Sequence, residues 1–192
     1  MPWQRDGFLA HEGAVGVLLP DGSEPGPVFF DMGSGGSFHK SADWWVYDGT
    51  FRAPLAERMR AKCACGWRAD TSYPIEWDQV QRRGPYTYDT SAVAADWAAH
   101  LDDVEARSVP LPAEVADLLT KLSERLQSLV DDSPLATLKA VNELEVIVEL
   151  VGPQVARIAM YGDEIPWPRI AEGLGTTETD ARSRLHRYEY RH

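Results

Sequence analysis

Cysteine is nearly absent from this chain of 192 residues, which has only Cys63 and Cys65. A pair spaced that closely cannot staple a secreted framework of several disulfides, and it fits a reducing compartment better. Long apolar runs are also missing. The longest, residues 15–19 and 146–148, fall far short of the ~20 residues a spanning helix needs, and no basic-then-apolar leader opens the chain. The expectation is a cytoplasmic protein without a membrane partner. Positive charge is scarce as well, with 19 Lys and Arg against 30 Asp and Glu and a net charge of −11. Because phosphate neutralisation supplies most non-specific affinity, this excludes a protein that coats nucleic acid. The deficit is uneven. Residues 1–108 carry 10 basic and 16 acidic side chains, residues 109–165 carry 4 and 10, and residues 166–192 carry 5 and 4. Only the last segment escapes the acidity, and a nucleic-acid surface would have to lie there.

What is present divides into a β-prone first part and a helical second part. Residues 15–19 and 28–30 are short apolar runs, and Pro20-Asp21-Gly22 and Glu24-Pro25-Gly26 supply turn chemistry between them, which predicts a hairpin. Gly33-Ser34-Gly35-Gly36-Ser37 is followed by Phe38-His39-Lys40-Ser41 without the spacing of a phosphate cradle, and it reads as a plain loop. Trp44-Trp45-Val46-Tyr47 reads as β-prone. Residues 58–70 fit a second hairpin with both cysteines near its turn and Gly66 at a positive φ; a short helix over residues 54–62 is the alternative. Residues 89–106 predict a helix with Val93, Trp97, His100, Leu101 and Val104 on its apolar face, so His100 points inward.

Arg107 to Pro112 holds two prolines and marks a domain boundary. Beyond it, Val115, Leu118, Leu119, Leu122, Leu126 and Leu129 recur at helical spacing. Ser133 is placed to cap a further helix with Pro134 at its first position, and Gly152-Pro153 is expected to break or kink it. The leucine-rich helix at residues 115–129 offers a homodimer interface.

At the C-terminus Trp167, Ile170, Ala171 and Leu174 form one inward face, Gly175 sits where the chain must bend, and Ala181 and Leu185 hold a second helix. The run Ile170-Ala171-Glu172-Gly173-Leu174-Gly175, followed by Ala181-Arg182-Ser183-Arg184-Leu185-His186-Arg187, resembles region 4.2 of sigma factors. It is also similar to helix-turn-helix segments of actinobacterial regulators. No segment resembling sigma region 2 precedes it, so a complete sigma factor is not expected. The resemblance covers about two dozen residues, 166–188, and implies a second helix that enters the major groove of double-stranded DNA. It places Thr177, Glu178, Thr179, Arg182, Ser183 and His186 on the reading face, with Arg182 reaching guanine edges and Arg184 and Arg187 meeting phosphates.

Cys63-Ala64-Cys65-Gly66-Trp67, with Trp97-Ala98-Ala99-His100 further on, looks like a C-x-C-G-W…W-x-x-H pattern of small actinobacterial proteins. Two thiols at i and i+2 of a strand face one way, and an inward His100 could add a nitrogen, which points to zinc. A fourth ligand would come from His39, the residue assigned here, or from His11; spacing does not select between them. Two buried thiols beside a core histidine are the alternative.

No nucleophile elbow, H-E-x-x-H or Walker sequence is present, and no enzyme is expected. The sequence thus reads as an α+β protein, with a β-rich domain at 1–107 holding a Cys/His metal site and a helical domain at 108–192. The expected role is a DNA-binding transcriptional regulator. The alternative is an acidic adaptor that docks on transcription machinery or another protein without touching DNA.

Overall fold

The strand at residues 58–63 alternates Arg58, Arg60 and Lys62 with Met59, Ala61 and Cys63, and period-two alternation buries one face. In the computed structural model, which describes residues 2–31, 38–162 and 165–189, this strand is the middle of a three-stranded antiparallel sheet. Strand β1 (Gly13–Leu18) pairs with β4 (Arg58–Cys63), running from Gly13 opposite Cys63 to Leu18 opposite Arg58, and β4 pairs with the short β5 (Tyr73–Pro74). A separate two-stranded sheet joins β2 (Val28–Asp31) to β3 (Phe38–Ser41).

The expected hairpin between residues 15–19 and 28–30 therefore does not form. Its turn does exist, with Gly22 at φ 81° and its N–H donating to Leu19 O at 2.8 Å. Pro25 and Pro27 then lie in the connection, where they cannot donate to a ladder, and β4 offers β1 a buried face instead. The loop at Gly33-Ser34-Gly35-Gly36-Ser37 lies outside the described residues.

Residues 44–46, expected as extended chain, form a 3-10 turn. Ser41 Oγ accepts the Asp43 N–H at 3.2 Å and donates to Asp43 Oδ2 at 2.8 Å, and the Asp43 carbonyl accepts the Val46 N–H at 3.1 Å. This local bonding curls the segment and sets Trp44 in the core. Residues 58–70 do make a hairpin, with Gly66 at φ 97° and a bridge between Lys62 and Arg68, and the alternative helix over 54–62 is absent.

Helix α1 (Trp77–Arg83) and helix α2 (Ser91–Arg107) complete this part. The Asp89 side chain accepts the Ser91 N–H at 2.9 Å at the start of α2, and Val93, Trp97, His100 and Leu101 form its buried stripe. The core gathers these with Val17, Trp44, Met59, Ala61 and Cys63.

The chain divides into two units, Met1–Glu105 and Ala106–His192. The second is helical: α3 (Ala113–Leu129), α4 (Pro134–Arg157), a π-turn at Ile158–Gly162, α5 (Trp167–Gly173) and α6 (Glu178–Glu189). Ser133 does not cap α4 through its side chain; its carbonyl accepts the Thr137 N–H and hydroxyl at 3.0 and 3.1 Å. Gly152-Pro153 does not break α4 either. A proline inside a helix forfeits one hydrogen bond and costs ~3 kcal/mol, but the helix continues because α6 packs along it. A Cβ on Gly152 would stand 3.1 Å from Tyr188 Cδ1. The core here is small, consisting of Ala156, Ile170, Ala171, Ala181 and Leu185.

Candidate metal centre and candidate nucleic-acid surface

Four side chains converge in the first unit. One ligand atom from each of His11, Cys63, Cys65 and His100 lies within 4.8 Å of the other three. The pairing of β1 with β4 explains half of this set, since Gly13 stands opposite Cys63 and the 3-10 turn Leu9–His11 runs straight into β1. The hairpin turn supplies Cys65, fixed by the Cys63 N–H donating to Trp67 O at 2.9 Å and the Gly66 N–H donating to Cys63 O at 3.0 Å. Helix α2 supplies His100 from its buried stripe.

Two sulfur-to-nitrogen distances in the cluster match the edge of a tetrahedral site. Zinc bonds of ~2.3 Å to sulfur and ~2.0 Å to nitrogen imply S···N edges of roughly 3.5 Å. Cys63 Sγ lies 3.6 Å from His11 Nδ1, and Cys65 Sγ lies 3.5 Å from His100 Nε2. The arrangement is compatible with a bound metal such as zinc. Burial, with the Cys65 thiol adding to it, pushes the Cys63 thiol up to about 11. A metal entering the site must therefore displace a proton.

The tryptophans of the motif have distinct places. Trp67 stacks on His100 with ring centroids 4.3 Å apart and planes 5° from parallel, which fixes the imidazole. Trp97 Nε1 donates to His11 O at 3.1 Å, holding the segment that carries the other histidine. Its indole lies so close to Gly13 that a Cβ there would stand 2.5 Å away.

His39, assigned from the sequence as fourth ligand, is not one of the four. It sits exposed in β3, cross-strand from Phe30 in the separate two-stranded sheet. The fourth member of the cluster is His11, and its signal was strand register: the pairing of β1 with β4 brings residue 11 beside residue 63.

In the second unit, α5 and α6 meet through a tight turn. Gly175 has φ 58°; its N–H donates to Glu172 O at 3.0 Å, and the Thr176 N–H donates to Ala171 O at 3.0 Å. These two bonds close the helix as a Schellman motif. Thr177 then caps α6, its Oγ1 accepting the Asp180 N–H at 3.1 Å and donating to the Asp180 carboxylate. Ala181 and Leu185 are buried, whereas Glu178, Thr179, Arg182, Ser183, Arg184, His186 and Arg187 are exposed and Thr177 is half-buried.

Arg182 is not an extended lone cation. Its Nη2 pairs with Glu178 Oε1 at 2.7 Å, and its guanidinium carbon lies 4.4 Å from the Trp167 ring centroid. His186 also approaches Trp167, at 6.0 Å between centroids. Arg184 lies on another side of α6, along a cavity bounded by Gly152, Val155 and Tyr188.

Compared with protein-family models, curated proteins and solved structures, the chain matches none. No helix among the described residues is long and apolar enough to cross a membrane.

Proposed function

We propose that this protein is a homodimeric helix-turn-helix regulator that binds double-stranded DNA and whose first unit is held together by a structural zinc ion. The observation that carries the DNA reading is the turn between α5 and α6. A Schellman closure at Gly175 runs directly into the Thr177 cap, fixing the angle at which α6 presents Arg182, Ser183, His186 and Arg187. Zinc is the metal because a cluster of two thiols and two imidazoles suits it better than a hard cation, which takes oxygen ligands.

The dimer rests on α3 and α4. Helix α3 has no buried residue, and its seam of Val115, Leu119 and Leu122 is between 37 and 52% exposed. On α4, Val141, Val148 and Val151 are exposed in the same way. Steps of four and three residues along α3, and of seven and three along α4, form a heptad-like stripe, which suits a four-helix bundle made by two copies.

Selection of bound fragments from random duplex DNA, followed by titration at several salt concentrations, tests the reading. Saturable, salt-sensitive binding supports it, and its absence at low ionic strength removes it. A protein-docking adaptor is the second reading. It is favoured by the acidic start of α6, where Glu178 and Asp180 engage Arg182 and Thr177.

A further inference from the structure

We propose that the first unit binds an alkylammonium ion in a cavity walled by Trp44, Trp45, Tyr86 and Tyr88 and faced by the carboxylates of Glu12 and Asp43. The cavity holds about 580 Å³, within the ~300–1,000 Å³ range of small-molecule sites. Its aromatic walls stand at angles to one another: Trp44 and Trp45 are 6.0 Å apart at 85°, Trp45 and Tyr86 are 5.3 Å apart, and Trp44 and Tyr88 are 5.3 Å apart. Four aromatic side chains thus line one volume, and aromatic walls attract a cation too bulky for tight hydration.

The charge around the cavity has one sign. Glu12 and Asp43 line it, and no lysine, arginine or histidine is among the described residues that do. Neither carboxylate belongs to a cluster that could hold a metal ion, so an organic cation fits better than an inorganic one.

The walls are held in place before any ligand arrives. Trp77 lies behind Trp44 at 6.1 Å, and the Tyr88 hydroxyl accepts the Glu76 N–H at 3.0 Å. Ser41 Oγ donates to Asp43 Oδ2 at 2.8 Å and Gln4 Nε2 to Glu12 Oε2 at 3.0 Å, orienting both carboxylates. Such preorganisation lowers the ordering cost of binding. This site stands independently of the DNA and zinc readings.

The test uses the full chain and two probes of one shape: choline, which carries the positive charge, and 3,3-dimethylbutan-1-ol, its neutral carbon counterpart. Choline is expected to change tryptophan fluorescence saturably, and the neutral alcohol to bind at least ~10-fold more weakly. Tyr86→Ala, at a position 81% exposed and so remote from folding, is expected to weaken choline binding several-fold, as is Asp43→Asn. Absence of saturation by choline up to ~10 mM, a concentration that would reveal even millimolar affinity, overturns the proposal. Equal affinity for the two probes, or unchanged choline affinity in both variants, overturns it as well.

Discussion

Glu24 stands between two guanidinium groups, with Arg60 Nη2 at 2.7 Å and Arg68 Nε at 2.9 Å from its Oε1. Burial works against its ionisation, but the hydrogen bonds and charges of the two arginines outweigh burial and hold the carboxyl below its ordinary value. A carboxyl depressed in the folded state contributes stability above its unfolded pKa and loses it as pH falls through the folded value. Glu24→Gln is therefore expected to lower the melting temperature at neutral pH, and the gap to the wild type should close towards pH ~3. The group is about a third exposed, so the effect is small, ~0.5 kcal/mol. A gap that stays constant across that range would assign the loss to packing.

The metal site yields a second prediction at the same scale, because the two candidate fourth ligands lie apart, His11 in the turn before β1 and His39 in β3. His11→Ala is expected to leave purified protein with less than ~0.2 equivalents of zinc, whereas His39→Ala keeps about one. Elemental analysis of both variants decides between His11 and His39. Retention of zinc by His11→Ala would return the site to three ligands and another partner.

Among the elements, the turn between α5 and α6 depends on one backbone angle. Gly175 at φ 58° is in a region where a side chain is strained, and Gly175→Ala is expected to cost ~1 kcal/mol or more through the loss of that freedom. Thermal unfolding of the second unit's helices by circular dichroism measures it, and an unchanged transition would mean that the turn tolerates a Cβ. The α3–α4 hairpin makes the opposite kind of prediction, since it lacks cover rather than carrying strain. Sedimentation should show a dimer at micromolar concentration, and Leu119→Glu, on an exposed seam, should shift it to monomer. A wild-type monomer at tens of micromolar would remove the dimer.

The helical turn was readable from Gly175 because glycine after an apolar 3.6-period run is itself the stop signal. His100 was readable for a similar local reason, lying at i+3 from Trp97 and i+7 from Val93 on one stripe. The partner of β1 was not. Strand pairing is non-local, and the turn at Gly22 matched a hairpin that the prolines at 25 and 27 then prevented. The choice between His39 and His11 stayed open for that reason, since only the partner of β1 separates them. Trp44 escaped for another reason: the Ser41 hydroxyl competes for the backbone and overrides the β preference of a tryptophan pair.

At the scale of the whole molecule, the net charge of −11 opposes approach to DNA, and only residues 166–192 carry a basic excess. On the proposed DNA reading, affinity must then come from few cations, which makes each one measurable. Arg187 is exposed on α6, and Arg187→Ala is expected to weaken binding to every duplex alike and to flatten the salt slope by about one unit, as loss of one phosphate contact does. Arg182 starts from a different state, paired with Glu178 and resting on Trp167. Reaching a base edge requires breaking that exposed pair, which costs at most ~1 kcal/mol. Glu178→Gln both frees the arginine and removes a negative charge facing the polyanion, so it is expected to tighten binding, by up to ~5-fold at low salt. Arg182→Ala should cost ~1–3 kcal/mol on the preferred site and relax preference at one base pair. Fluorescence anisotropy with selected and scrambled duplexes at three salt concentrations separates these outcomes. If Glu178→Gln weakens binding while Arg187→Ala leaves the salt slope unchanged, α6 is not the face that meets DNA. The acidic start of that helix would then mark a protein contact.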